Sequence, residues 1–216
     1  MQLSETPRTR LTRLADRGRT DVEDLYAVLD SGLVGHLGLV RDEVPVVLPM
    51  GYGRRGDTLY LHGSTGAGWA RVLDGAAVCF TVTHVDGVVY ARSVFDHSLN
   101  YRCAVVLGTT RRVDDAAEKR AALEAVTEQL SPGSWSYARL PTKRELAATT
   151  VYALDLTEAS VKIRTGPPHD EPEDVVAGGR WAGVLPVRTV FDAARSAPDL
   201  ESGPGVPPHV SDRRPR

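Results

Sequence analysis

The residues able to do chemistry fall in three short runs. In "TLYLHGSTGAGWARVL" a strand pattern delivers His62, and the glycine-rich turn after it carries the hydroxyls of Ser64 and Thr65. Ser and Thr are favoured N-caps, and Trp69, Val72 and Leu73 supply an apolar face, so a helix is expected to start near Ser64. The first turn of a helix offers unpaired N–H groups and the positive end of its dipole, a cradle for a phosphate. The run has no basic residue before Arg71. In "FDHSLNYRCAVVLG" the polar side chains of His97, Ser98, Asn100, Tyr101 and Arg102 stand at the entry to an apolar strand. A buried guanidinium requires an anion, either a phosphate or a carboxylate such as Asp96. In "LPMGY" Pro49 marks a strand edge or bulge, and Gly51 lets a flat ligand approach the backbone. A plain capped helix is the simpler account of the first run, and a structural ion pair also accounts for the second.

Around these runs the patterning is that of a β protein with helices at its margins. "TDVEDLYAVLDSG" reads as a helix, with Thr20 and Glu23 at capping-box spacing and Gly32 at its end. "LVGHLGLV" and "EVPVVLPMGY" flank a hairpin turn, and "RRGD" turns the chain into "TLYLHG". "AAVCFTVTHV" and "VVYARSV" are read as two strands with a turn at Asp86-Gly87, followed by the long strand "YRCAVVLGTTRRV". The longest helix is "DDAAEKRAALEAVTEQL", ended by Pro132-Gly133. A helical turn and two strands follow in "PTKRELAATTVYALDLTEASVKIRTG". "PPHDEPEDVVAGGR" reads as an acidic loop, and "WAGVLPVRTVFDAAR" as a return to packed structure. Some seven short strands with tight turns argue for an antiparallel sheet closed into a barrel, and against a doubly wound fold. Residues 1–19 are expected to form a flexible basic arm, residues 20–195 the domain, and residues 196–216 a disordered Pro/Gly-rich tail.

Composition excludes several classes. Hydrophobic residues are 42% and charged residues 25% of the 216, as in an ordinary folded domain. A formal net charge of -2 gives no general pull toward nucleic acid. No apolar run approaches the roughly 20 residues of a membrane span, and the N-terminus lacks the apolar segment of a secretory signal. The expectation is a cytoplasmic protein with no membrane or nucleic-acid partner. Cys79 and Cys103 lie in apolar runs and read as reduced core residues. The six histidines show no metal-ligand spacing, so no metal site is expected. No Walker loop, GxSxG or HExxH motif is present.

Taken in order, "VPVVLPMGY", "LYLHGSTG", "VCFTV", "DHSLNYRCAVVLG", "EKRAALEAV", "ELAATTVYALDLTEASVKIRTGPPHD" and "WAGVLPV" resemble the FMN-binding split-barrel superfamily. Within it the chain looks like the branch of pyridoxamine 5'-phosphate oxidase-like and nitroimidazole reductase-like flavoproteins. The resemblance spans roughly residues 20–190. It implies a mainly β fold with flanking helices: a six-stranded antiparallel split β-barrel with Greek-key connections. It also implies a homodimer with FMN in the cleft between subunits. The matching flavin contacts are Pro49, Met50, Gly51, Tyr52, His62, Ser64, Thr65, Gly66 and Trp69, then Ser98, Asn100, Tyr101 and Arg102, with Trp181 approaching the cleft. Family members commonly carry Arg where this chain has Gly68, which removes a phosphate cation. Arg71, one helical turn on, is the replacement within reach.

The function so implied is an FMN-dependent oxidoreductase, passing electrons from a reduced nicotinamide through the flavin to a small electron-poor substrate. His62 and Tyr52 are the candidates for proton donation near the ring. Two alternatives stand beside it: a flavin carrier without turnover, and the same fold using haem or a deazaflavin. A haem would need an axial ligand, for which His62 and His97 are the candidates.

Overall fold

The structure is a computed structural model and describes residues 2–200 and 204–215. Residues 201–203 and 216 of the expected tail, and Met1 of the expected arm, lie outside the described residues. The chain begins along a sheet edge, where β1 (Gly18–Arg19) leads into helix α1 (Val22–Ser31). A hairpin follows, β2 (Gly35–Arg41) and β3 (Val44–Met50), joined by Asp42 and Glu43. Both turn residues have positive φ, 52° and 63°, as a two-residue hairpin with right-handed strand twist requires. After Gly51 come β4 (Tyr52–Arg55) and β5 (Thr58–Ser64), then the short α2 (Ala70–Leu73). Two long strands, β6 (Ala77–Tyr90) and β7 (Ser98–Thr109), form the spine of the larger sheet, and β8 (Arg111–Arg112) follows at once. Helices α3 (Ala116–Leu130), α4 (Ser134–Tyr137) and α5 (Lys143–Ala148) precede β9 (Thr149–Asp155) and β10 (Glu158–Arg164). Helix α6 (Pro172–Ala177), β11 (Gly183–Pro186) and α7 (Pro208–Ser211) complete the described elements.

The expected six-stranded barrel is replaced by two antiparallel sheets. Seven strands form one, ordered β1-β10-β7-β6-β2-β3 with β11 also on β6, and four form the other, ordered β4-β5-β9-β8. The chain changes sheet four times: at Gly51 and at Thr110 after a single residue, across α2 between β5 and β6, and through Leu156 and Thr157 between β9 and β10. Between the sheets lies the main core. Phe80, Val82, Ala104 and Val106 of the larger sheet meet Tyr52, Leu59, Leu61 and Leu154 of the smaller one, with Leu25, Val28 and Leu29 of α1. Helix α3 covers the outer face of the smaller sheet, packing Ala122 and Val126 on Tyr60, Val151 and Ala153. Strand β9 is therefore buried on both faces, which is why "TVYALDL" shows no apolar-polar alternation. Gly53 makes this contact possible, because a Cβ there would lie 2.4 Å from the α3 backbone at Ala125 and Val126.

Four further expectations change. Asp86-Gly87 is not a turn: β6 runs through it as one 14-residue strand, with a bulge between Val85 and Gly87. Helix α1 has Asp21 at its N-cap position with no side-chain cap hydrogen bond, and no capping box forms from Thr20 and Glu23. The arm is laid down on β10, with β1 paired to Lys162 and Val161 and Arg8 ion-paired to Glu158. The tail forms α7, whose His209 ring stacks 4.9 Å from Tyr137 beside Gly133. The two cysteines are free and partly buried, and burial raises both thiol pKa values. Among the described residues, no helix is long and apolar enough to cross a membrane.

Candidate cofactor site

The first run does not build the expected helix N-terminus. Ser64 is the last residue of β5, and α2 begins only at Ala70 and spans four residues. The amides that would hold a phosphate are already used within the chain. Thr65 N–H donates to the Ala148 carbonyl at 3.0 Å, Gly66 N–H to the Ser64 hydroxyl at 3.2 Å, and Ala67 N–H to the Ser64 carbonyl at 3.0 Å. Trp69 folds over Gly63, where a Cβ would lie 2.3 Å from the indole, and packs toward Tyr152. The place left by Gly68 is not empty of charge. Arg41, from the end of β2, brings its guanidinium to within 3.4 Å of where a Gly68 Cβ would stand. Nothing in the sequence pairs Arg41 with Gly68, because they meet only through the β2–β3 hairpin; Arg71 is exposed.

The "LPMGY" run divides at the sheet change. Pro49 is exposed and Met50 half-buried, and Gly51 lies under Leu130 of α3. Tyr52 is fully buried, edge-on to Phe80 at 5.1 Å, and donates its hydroxyl proton to the Leu29 carbonyl. Burial pushes its phenol pKa up. It is a core residue, and its reading as a proton donor beside a flavin is withdrawn.

The third run is drawn into internal contacts. Arg102 finds its anion in Asp86, at 3.0 Å through both Nε and Nη2, and not in Asp96. The bulge makes this possible, because it leaves Asp86 without a register partner. Asn100 is buried and donates to the Gly166 carbonyl at 3.1 Å, and it accepts from the buried Arg164. Ser98 and Tyr101 are half-buried on β7. Trp181 is 70% exposed and lies 5.9 Å from Tyr90, which lies 5.7 Å from His97. The expected flavin contacts outside the "LPMGY" run thus fall in two patches of the chain, one at the end of β5 and one at the start of β7.

His62 stands apart from both patches. It lies on the outer face of β5, in the wall of a cavity of about 310 Å³. Leu123 and Thr127 of α3, Trp135 of α4, and Leu140 and Glu145 at the start of α5 form the rest of the wall. Its Nδ1 is buried with no hydrogen-bond partner, and burial lowers the ring's pKa, so the imidazole is neutral at pH 7. At the same wall Arg139 pairs with Glu145 at 2.8 Å, and Arg120 lies over the Trp135 ring at 5.9 Å. The sequence offered no sign of this cavity, because "GSWSYARLP" carries no motif and meets His62 only through the packing of α3 on the smaller sheet. Among the described residues, no group of three or more His, Cys, Asp or Glu could hold a bare metal ion.

The profile of the family described as pyridoxamine 5'-phosphate oxidase matches residues 21–163. The chain belongs to that family. Two solved structures resemble it over nearly its whole length. The flavocytochrome Anf3 from Azotobacter vinelandii is 34% identical, with a TM-score of 0.91 and 97% of each chain covered. The FAD and haem binding protein from Mycobacterium smegmatis is 42% identical, with a TM-score of 0.86, covering 91% of this chain and 96% of that one. A protein from Bacteroides thetaiotaomicron VPI-5482, described as a 5-nitroimidazole antibiotic resistance protein, is 20% identical with a TM-score of 0.58. It covers 68% of this chain and 86% of its own, a likeness of fold alone. No curated protein matches the sequence.

Proposed function

We propose that this family member is a flavin-binding redox protein that also carries haem. Bound flavin and haem would together supply electron transfer from a reduced nicotinamide to a small acceptor. The observation that carries this reading is the 97% mutual coverage with a flavocytochrome, supported by the 42% identity to a FAD and haem binding protein. Likeness over the whole chain includes the helices α3 to α5 that enclose the His62 cavity, and not only the sheets shared by the wider family. The flavin supplies hydride acceptance and single-electron release, and the chain supplies binding and orientation.

FAD is favoured over FMN by the chain itself. FMN ends in a phosphate that needs a dense set of donors. Here the Thr65, Gly66 and Ala67 amides are spent, Gly68 has no cation of its own, and Arg102 is paired. The diphosphate of FAD lies mid-molecule and asks less of that turn, where the cation within reach is Arg41, whose exposed pair with Asp42 at 3.3 Å is weak enough to be exchanged.

The flavin lies between two subunits in this reading. The patch at β5 of one subunit faces the patch at the start of β7 of the other, with Trp181 closing the cleft. Val94 and Phe95 beside that second patch are 87% and 92% exposed, an apolar surface suited to a second copy.

The test is the purified, full-length protein. Flavin and Soret bands together, a released flavin that phosphodiesterase converts to FMN, and a solution mass twice the 23.4 kDa of one chain are expected. Bleaching of the flavin bands by NADH or NADPH separates enzyme from carrier. A colourless protein that takes up neither cofactor overturns the reading.

A further inference from the structure

We propose that the cavity beside His62 is the haem pocket, and that His62 is the axial ligand of the iron. The inference rests on the haem reading above. Buried histidine nitrogens are normally hydrogen-bonded, and an exception calls for an explanation such as an absent ion or ligand. His62 is such an exception: its Nδ1 is shut off without a partner, and the ring makes no hydrogen bond to the chain.

The other histidines are less suited. His84 holds the Val28 carbonyl at 3.0 Å and faces Ser31. His97 takes the Ala91 N–H at 3.2 Å and is exposed on the loop before β7. His36 and His169 are exposed, and His209 stacks on Tyr137.

The walls offer a flat apolar surface on which a porphyrin can lie, formed by Leu123, Leu140 and the Trp135 ring. Thr127, Ser134, Glu145 and Thr149 are the polar points around it. Apolar lining with a few polar groups is what a large planar ligand requires. A porphyrin also carries two carboxylates, which need cations at the rim. Arg139 supplies one: it is 67% exposed, so its pairing with Glu145 is weak enough to be exchanged. Arg120, exposed and 5.9 Å from the Trp135 ring, stands outside the lining as the next cation out. His62 is thereby moved from the flavin contacts to the haem, and β5 becomes the element shared by the two cofactor sites.

The experiment uses full-length protein loaded with hemin, as wild type, His62→Ala and His97→Ala. His62→Ala is expected to bind hemin on the order of tenfold or more weakly, with an altered Soret band that added imidazole restores. Its flavin is retained, and His97→Ala keeps the wild-type spectrum. His62→Met, close in volume and able to ligate through sulfur, is expected to fold and to shift the Soret and low-temperature EPR signals. Wild-type spectra in both His62 variants overturn the assignment, as does a His62→Ala protein that loses flavin and keeps haem. A wild type that takes up no hemin is a different failure, that of the haem reading itself, and it takes this assignment with it.

Discussion

Arg102 shows how far a single residue can be read. The sequence shows a cation at the mouth of an apolar strand and so demands an anion. It does not show which one, because Asp86 reaches Arg102 only through the bulge in β6. With both side chains about one-third exposed, the pair is expected to be worth a modest amount. A double-mutant cycle of Arg102→Ala and Asp86→Ala, read by thermal melts, should give a coupling of about 0.5–1 kcal/mol. Additive losses would place the partner of Arg102 elsewhere. His62 carries a second prediction. Its folded pKa lies below the ordinary 6.5, so protonation favours the unfolded chain. Stability is therefore full above pH 6.5 and falls as the pH drops through the lowered folded value. Melts of the cofactor-free protein between pH 7.5 and 5 should show this loss reduced in His62→Gln, and an unchanged pH slope would refute it.

At the scale of elements, the capping box read at Thr20 and Glu23 does not form. The caps that do form are the Asp115 carboxylate accepting the Glu118 N–H at α3 and the Thr142–Glu145 box at α5. Local signals failed where long-range partners decide. The turn after β5 has the composition of a helix start, but its amides go to Ala148 and Ser64. The end of α1 is another such case. Gly32 has φ of -84°, so no left-handed cap closes the helix. Instead Gln129, 97 residues away, sets its amide nitrogen within 3.1 Å of the Leu29 carbonyl, 2.9 Å of Asp30 and 2.6 Å of Gly32. Gln129→Ala would take its donor from the buried Gly32 carbonyl, while the Leu29 carbonyl keeps the Tyr52 hydroxyl, at a cost of about 1–3 kcal/mol. That corresponds to a fall in melting temperature of roughly 3–10 °C, with the far-UV spectrum retained. A change within error would mean that water replaces the side chain there.

For the whole molecule, the order and type of elements were legible because hairpins and amphipathic helices are local. The division into two sheets was not, because Gly51 and Thr110 look like any residue between strands. The two ends of the chain were read as loose because they are polar or Pro/Gly-rich, yet the described parts of both make specific contacts. Deleting residues 199–216 removes the His209–Tyr137 stack and the Arg213–Phe191 contact, and is expected to lower the melting temperature by roughly 2–4 °C. A melt indistinguishable from the full chain would show that α7 does not stay docked. The bulge in β6 reaches further. Up to Val82 the buried positions of that strand are even-numbered, at Val78, Phe80 and Val82; beyond Asp86 they are odd-numbered, at Gly87 and Val89, and the parity continues to Ala91 just past its end. One extra residue keeps a single face inward along the strand. In evolutionary terms Asp86 is a phase marker. Descendants of this gene are free to exchange it for other side chains far more readily than to drop its codon, since a one-residue deletion would turn every later side chain of the strand to the opposite face.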